Sequence, residues 1–219
     1  MSYRRMAVAS GVVAVGIAAV STLALNRLPA GAQLPTHWNL AGEADNWSGA
    51  PLALFLPVAL TVATSVLLGV VLPRIEPMQR GLDRSAALLT AVWAGLLGLM
   101  LLIEATVAGP VLGLHLPPTL PLAAVGLFLM LVGNALPKSR PGFFIGIRTP
   151  WTLLDDDNWI ATHRLGAWTF IAGGVSIVAG ALLPLAPPVR AAVFVAALIG
   201  VVVPPMVYSF HHWHRKVRA

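Results

Sequence analysis

Cysteine is absent from this 219-residue chain, and only 10% of its residues are charged. The first absence removes disulfides, thiolate nucleophiles and zinc–thiolate sites at once, and leaves the redox compartment open. The second excludes a soluble globular domain. Such domains carry about 25% charged residues, whereas here 58% of the chain is hydrophobic. Lipid must be the solvent. Also missing are HExxH, GxSxG and a Gly-rich phosphate loop, any low-complexity tract and any clear inverted repeat. The net charge of +6 would suggest nucleic acid in a soluble protein. Here the basic residues lie in short loops between apolar runs, where they set topology, so no nucleic-acid partner is expected.

What is present is a set of six charge-poor runs long enough to cross a hydrocarbon core of about 30 Å. They are Met6–Leu25, Pro51–Leu72, Ser85–Ala108, Leu120–Leu136, Leu165–Leu185 and Val189–Phe210. The first follows Arg4 and Arg5 and precedes Ala30-Gly31-Ala32, as a signal peptide would. Its length and its stripe of Ala7, Gly11, Ala14, Ala18 and Ser21 favour a packed span instead. Of the 14 Lys and Arg residues, all but Arg27 and Arg190 fall on one set of faces, which places both termini in the cytoplasm. The expected fold is an all-α integral membrane protein with six transmembrane helices, N-in and C-in. It has a structured outer loop, 26–50, and a short interfacial helix in the inner loop, 137–164. The whole chain reads as one membrane domain, with an N-terminal helix pair over 1–84 and a four-helix part over 85–219. The expected location is a bacterial cytoplasmic (inner) membrane.

The outer loop is more patterned than a connector needs. Pro35, Asn39 with Gly42, and Asn46 with Gly49 are turn chemistry. Trp38 and Trp47 suit the headgroup level, which would lay the loop flat as an anchor. Alternatively His37, Glu43 and Asp45 ligate a metal, with zinc as the divalent candidate, or bind a cationic partner.

In the inner loop, Gly146 permits backbone that a Cβ resists, and Pro150 biases Thr149 toward extended geometry. Thr152 followed by Asp155, Asp156 and Asp157 reads as a helix start with acids on its first turn. That helix would run through Trp159 to Arg164. Trp159 and His163, four apart, share a face. Arg148 is the expected bidentate partner of an aspartate. Two readings stand: an interfacial helix pinned by Trp151 and Trp159, or a site lined by Arg148, His163 and one aspartate for an anionic or peptide ligand.

Two strings carry a resemblance. Pro35-Thr36-His37-Trp38-Asn39 followed by Gly42-Glu43-Ala44-Asp45-Asn46-Trp47 resembles the outer-loop signature of a bacterial membrane domain of unknown function often found in SdpI-type proteins. Phe144-Ile145-Gly146-Ile147-Arg148-Thr149-Pro150-Trp151-Thr152-Leu153, with Asp156, Asn158-Trp159 and Thr162-His163-Arg164, is similar to the signature of the SdpI family. That family is named for immunity to a secreted toxic peptide, coupled to membrane signalling. The resemblance implies a peptide partner outside and a regulator in the cytoplasm. In place of the apolar-aromatic residue and one acid expected before the Trp, this chain has Asp155-Asp156-Asp157.

Glu104 is the sole acid inside the six runs, and an intramembrane acid is a functional hypothesis whose partner must be named. His115 and His37 are the candidates, and snorkelling to water is the alternative. Asn134 reads as a helix-end polar group or an interhelical hydrogen bond. Gly166, Gly173 and Gly180 make a seam, and Pro204-Pro205 kinks or interrupts the sixth run. The tail His211-His212-Trp213-His214-Arg215-Lys216 anchors to anionic headgroups or collects adventitious metal. The candidate ligand-binding residues are therefore His37, Asn39, Glu43, Asp45, Glu104, Arg148, Asp156, Trp159 and His163. Three functions compete: a non-enzymatic immunity or receptor protein, which leads, a membrane-embedded metal hydrolase, and a small transporter.

Overall fold

Backbone in hydrocarbon can satisfy itself only by closing on itself, so long uncharged runs must be helical. A computed structural model describes residues 3–40, 42–77 and 79–218, and among them six helices are long and apolar enough to cross a membrane. The protein is an all-α multi-pass membrane protein. Helix α1 is Tyr3–Leu25. The second span, Ala50–Ile75, comprises α2 (Ala50–Val66), one wide turn over Leu67–Val71, and α3 (Leu72–Ile75). Short α4 (Gln79–Arg84) leads to α5 (Ala86–Ala108). Then come α6 (Leu120–Ala135), one-turn α7 (Pro150–Leu154), α8 (Asp156–Leu182) and α9 (Pro187–Arg218).

Packing divides the spans into two triples. Helices α1, α2 and α5 pack together, α8 packs on α6 and α9, and α5 also lies on α6. The α6–α8 crossing is closest at Gly126 and Gly174. A Cβ on either would come within 2.6 Å of the other's carbonyl oxygen. Small residues permit such backbone approach in lipid, where helices gain nothing from leaving a hydrocarbon solvent. The glycine seam of α8 is a packing surface, with Gly173 and Gly180 against Val201 and Val193 of α9 and Gly166 against Ile147. Helix α9 is not interrupted at Pro204-Pro205. Pro205 deprives the Val201 carbonyl of its usual donor, and Thr169 Oγ1 lies 3.4 Å from that oxygen.

The outer loop contains two strands, β1 (Gln33–Trp38) and β2 (Ala44–Gly49), paired antiparallel with Leu34 opposite Ser48 and Trp38 opposite Ala44. Register shifts on either side of His37 mark an irregular tip. Leu34 is buried with Ala24, Ala50, Leu54, Val107 and Ala108, so the hairpin is rooted in the outer mouth of the first triple.

Candidate functional site

At the hairpin tip, Asn39 and Glu43 form a closed turn. Their backbones bond at 2.9 Å, Asn39 Oδ1 accepts the Glu43 N–H at 3.0 Å, and Asn39 Nδ2 donates to Glu43 Oε2 at 3.2 Å. Gly42, at φ +86°, completes the turn. His37 Nδ1 lies 2.5 Å from Asp45 Oδ1, across the hairpin. The cation reading needs Glu43 beside that pair, but Glu43 is turned to Asn39. Among the described residues no group of three metal-binding side chains gathers. The two tryptophans differ. Trp38 packs against the core of the first triple, whereas Trp47 is 54% exposed.

Glu104 does not snorkel and does not meet a histidine. It is 2% exposed, and its Oε1 accepts the Ser21 hydroxyl at 2.8 Å. The same hydroxyl lies 2.9 Å from the carbonyls of Ile17 and Leu54, so one proton faces three acceptors. Glu104 Oε2 has no hydrogen-bond partner among the described residues. The pairing expected with His37 or His115 fails because His37 is spent on Asp45 and Ser21, on the facing helix, is nearer.

The inner loop is held from several sides, starting with its own tight turn. Gly146 has φ +120°, and a Cβ there would stand 2.6 Å from both His163 Nε2 and the Trp159 ring. The ring of His163 stacks on Trp159 with centroids 4.2 Å apart. His163 Nε2 accepts the Ile147 N–H at 2.8 Å, and Nδ1 lies 2.8 Å from the Trp159 carbonyl. A backbone N–H only donates and a carbonyl only accepts, so the partners select the neutral imidazole with its proton on Nδ1. Both ring nitrogens are engaged. Trp159 Nε1 donates to Ser139 Oγ at 3.3 Å, and both Trp159 and His163 are fully buried. This pair therefore shapes the loop.

The helix expected from Thr152 is two helices. Thr149 is extended at φ −108°, ψ 161°, as a residue before proline should be, and it caps α7 reciprocally with Thr152. Pro150 then occupies the first helical position, where a missing N–H costs nothing. Asp155, extended at φ −144°, breaks the chain from α7 and caps α8 by accepting the Asp157 N–H at 3.0 Å. From there α8 runs unbroken into the membrane, so the fifth span begins nearer the loop than Leu165.

Arg148 is not the partner of the aspartates. Its Nη1 donates to the Phe143 carbonyl at 2.7 Å and the side chain is exposed. Lys216 takes the acids instead, 3.0 Å from both Asp155 oxygens and 3.1 Å from Asp157. Burial pushes the Asp155 carboxyl up, but bonds from Lys216 and from the N–H groups of Asp157 and Asn158 outweigh it and hold it below its ordinary value. Asp156 points to solvent. The three acids thus have three different surroundings, and charge at the start of α8 is met from the far end of the chain.

Several residues that hold this loop were not legible as site residues. Glu76, 2% exposed, accepts the N–H groups of Phe143 and Phe144, one on each oxygen, both at 2.9 Å. Ser85 Oγ accepts the Arg140 N–H at 2.9 Å and donates to the Arg140 carbonyl at 3.0 Å. On the α9 side, Asn158 Nδ2 donates to the Ser209 carbonyl at 2.8 Å and Thr162 Oγ1 to Asn158 Oδ1 at 2.9 Å. Thr149 Oγ1 donates to Ser209 Oγ at 3.1 Å. The i, i+4 spacing of Asn158 and Thr162 was a visible signal for one such pair. Nothing in the sequence announced Glu76, an acid among arginines.

Residues 138–209 match the model of the SdpI/YfhL protein family, and residues 12–62 match that of a domain of unknown function (DUF1648). The immunity protein SdpI of Bacillus subtilis (strain 168) is 36% identical over 53 residues, which is 24% of this chain and 26% of that protein. The match thus spans about a quarter of the relative's length. No solved structure matches the chain. The first matched segment holds the inner loop with its Trp159–His163 pair, and the second holds the outer hairpin. The chain is accordingly a multi-pass membrane protein whose segment 138–209 is similar to the SdpI/YfhL family and whose segment 12–62 is similar to DUF1648.

Proposed function

We propose that the protein is a non-enzymatic immunity receptor of a bacterial cytoplasmic membrane, with both termini inside. The outer hairpin recognises a secreted toxic peptide, with exposed Trp47 and the His37–Asp45 pair as its contact groups and the Asn39–Glu43 turn setting their presentation. The inner loop, with Arg148 and Asp156 exposed, passes the bound state to a cytoplasmic regulator. One observation carries the reading: the hairpin and the inner loop are attached to opposite ends of the same helix. Leu34 packs on Val107 and Ala108 at the outer end of α5, and Ser85, which precedes its inner end, grips Arg140 by two bonds. A helix of 23 residues is a rod of about 35 Å, and a shift at one end displaces the other.

A second reading has its own observation. Glu104, buried with one oxygen unpartnered among the described residues, is what an ion or proton pathway would require. The test is a host strain lacking the protein, challenged with its own culture supernatant. Wild type is expected to restore survival, and a Trp47→Ala/Asp45→Ala variant of equal abundance is not. If that variant protects fully while Glu104→Gln does not, the pathway reading replaces the receptor reading.

A further inference from the structure

Along the inner half of α9 a groove of about 930 Å³ opens beside α8. The α9 residues along it fall at 204, 207, 208, 211, 212, 215 and 216, steps of three and one that trace a single helical face. Chemistry changes along this stripe. Pro204 and Val207, with Leu165 from α8, make one end apolar, and His211, His212 and Arg215 make the other basic. From Arg215 to Pro204 is eleven residues, about 16 Å of helix, so the groove runs from headgroup depth well into hydrocarbon.

Its polar end is unspent. Lys216 is committed to Asp155 and Asp157, which closes the cytoplasmic rim. Among the described residues Arg215 makes no hydrogen bond or ion pair, and His212 Nδ1 is buried with no partner. A soluble anion would answer the basic end but gain nothing from the apolar one. An apolar chain would do the reverse. We propose that this groove binds an anionic glycerophospholipid of the inner leaflet, with its phosphate on Arg215, His211 and His212 and an acyl chain along Val207, Pro204 and Leu165. Basic pockets at the cytoplasmic boundary suit such headgroups. Adjacent histidines of a helix point about 100° apart, so His211 and His212 flank a phosphate more readily than they chelate one metal ion. The site is independent of peptide recognition outside.

The test is competitive retention on the full-length protein. Purified protein is equilibrated in mixed micelles of phosphatidylglycerol and phosphatidylcholine, and bound lipid is counted by native mass spectrometry. Wild type is expected to retain phosphatidylglycerol preferentially. Arg215→Gln/His211→Gln should lower that preference at least about five-fold with unchanged melting temperature, both side chains being exposed. Arg164→Gln, an exposed inner-side arginine outside the groove, should leave it unchanged. Leu165→Trp should reduce retention of both lipids by filling the apolar end. Equal losses for Arg164→Gln and the groove variant would mean diffuse basic attraction and overturn the site. Displacement of the lipid by millimolar inorganic phosphate would overturn the lipid as its occupant.

Discussion

The Ile147 N–H ends on His163 Nε2 at 2.8 Å, in a ring that the Trp159 carbonyl holds from its other nitrogen. That relationship converts two residues that read as ligand groups into the template of a loop. Removing the imidazole strands a part-buried N–H, which costs up to about 1–3 kcal/mol. His163→Ala should therefore lower the melting temperature in detergent and expose residues 143–148 to protease. Gly146→Ala should act similarly, since its Cβ would stand 2.6 Å from the same ring at φ +120°. A Gly146→Ala protein as stable as wild type would show that the loop does not depend on this contact.

Glu76 fastens the same loop to the end of α3. Glu76→Gln keeps the size but replaces one acceptor oxygen with a donor that faces a backbone N–H. The expected result is faster hydrogen exchange at Phe143 or Phe144, with little change at residues of α8. Uniform acceleration across the inner side would mean that the carboxylate supports global folding and not this attachment.

For Arg148 the structure changes the reason for a mutational effect. Its partner is one carbonyl, and the side chain is exposed, so Arg148→Ala should cost less than about 1 kcal/mol of stability. If the exposed guanidinium meets a cytoplasmic regulator, the variant should still lose protection, and Arg148→Lys should recover little because a point charge does not reproduce the planar fork. Full protection by Arg148→Lys would reduce the role to charge alone.

The Asp155–Lys216 clasp sets a pH window. A carboxyl held below its ordinary value of 3.8 contributes stability that is present above that value and is lost as pH falls through its lowered folded value. Hydrogen exchange at the C-terminal turns of α9 should therefore be steady from neutral pH to about 4 and accelerate below it, after correction for intrinsic rates. Lys216→Met should show the accelerated rate at neutral pH. A tail indifferent to both changes would place its anchorage elsewhere, with Trp151 and Phe210, whose rings meet at 5.0 Å.

Orientation rests on the charge distribution and is open to direct labelling, since the chain has no cysteine. Asn46→Cys and Lys138→Cys substitute exposed positions on opposite sides. An impermeant maleimide on intact cells should label the first only. Labelling of position 138 alone would invert the protein.

The six spans were legible because an uninterrupted apolar run of about 20 residues satisfies its backbone in hydrocarbon as a helix, whereas a barrel strand is half as long. The turn at Asn39–Gly42, the extended Thr149 and the need for glycine at 146 were legible because each is a local property of a few residues. The hairpin pairing was not, since Leu34 enters strand β1 on account of a core made by Ala24, Leu54 and Val107, distant in sequence. Arg148 was matched to the nearest acids along the chain, whereas Lys216, about sixty residues away, takes them. Glu104 likewise found Ser21 across the bundle. In each case the partner was chosen by helix packing, which a single sequence does not display.

The proposed function requires the outer hairpin to be mechanically continuous with the inner loop. Hydrogen exchange of residues 143–148, measured on the full protein in nanodiscs with and without the host's secreted peptide fraction, tests it most directly. Addition of that fraction should change exchange in this segment for wild type, and should leave it unchanged for Trp47→Ala/Asp45→Ala. No change in wild type, or an equal change in the hairpin variant, would contradict transmission from the hairpin to the inner loop.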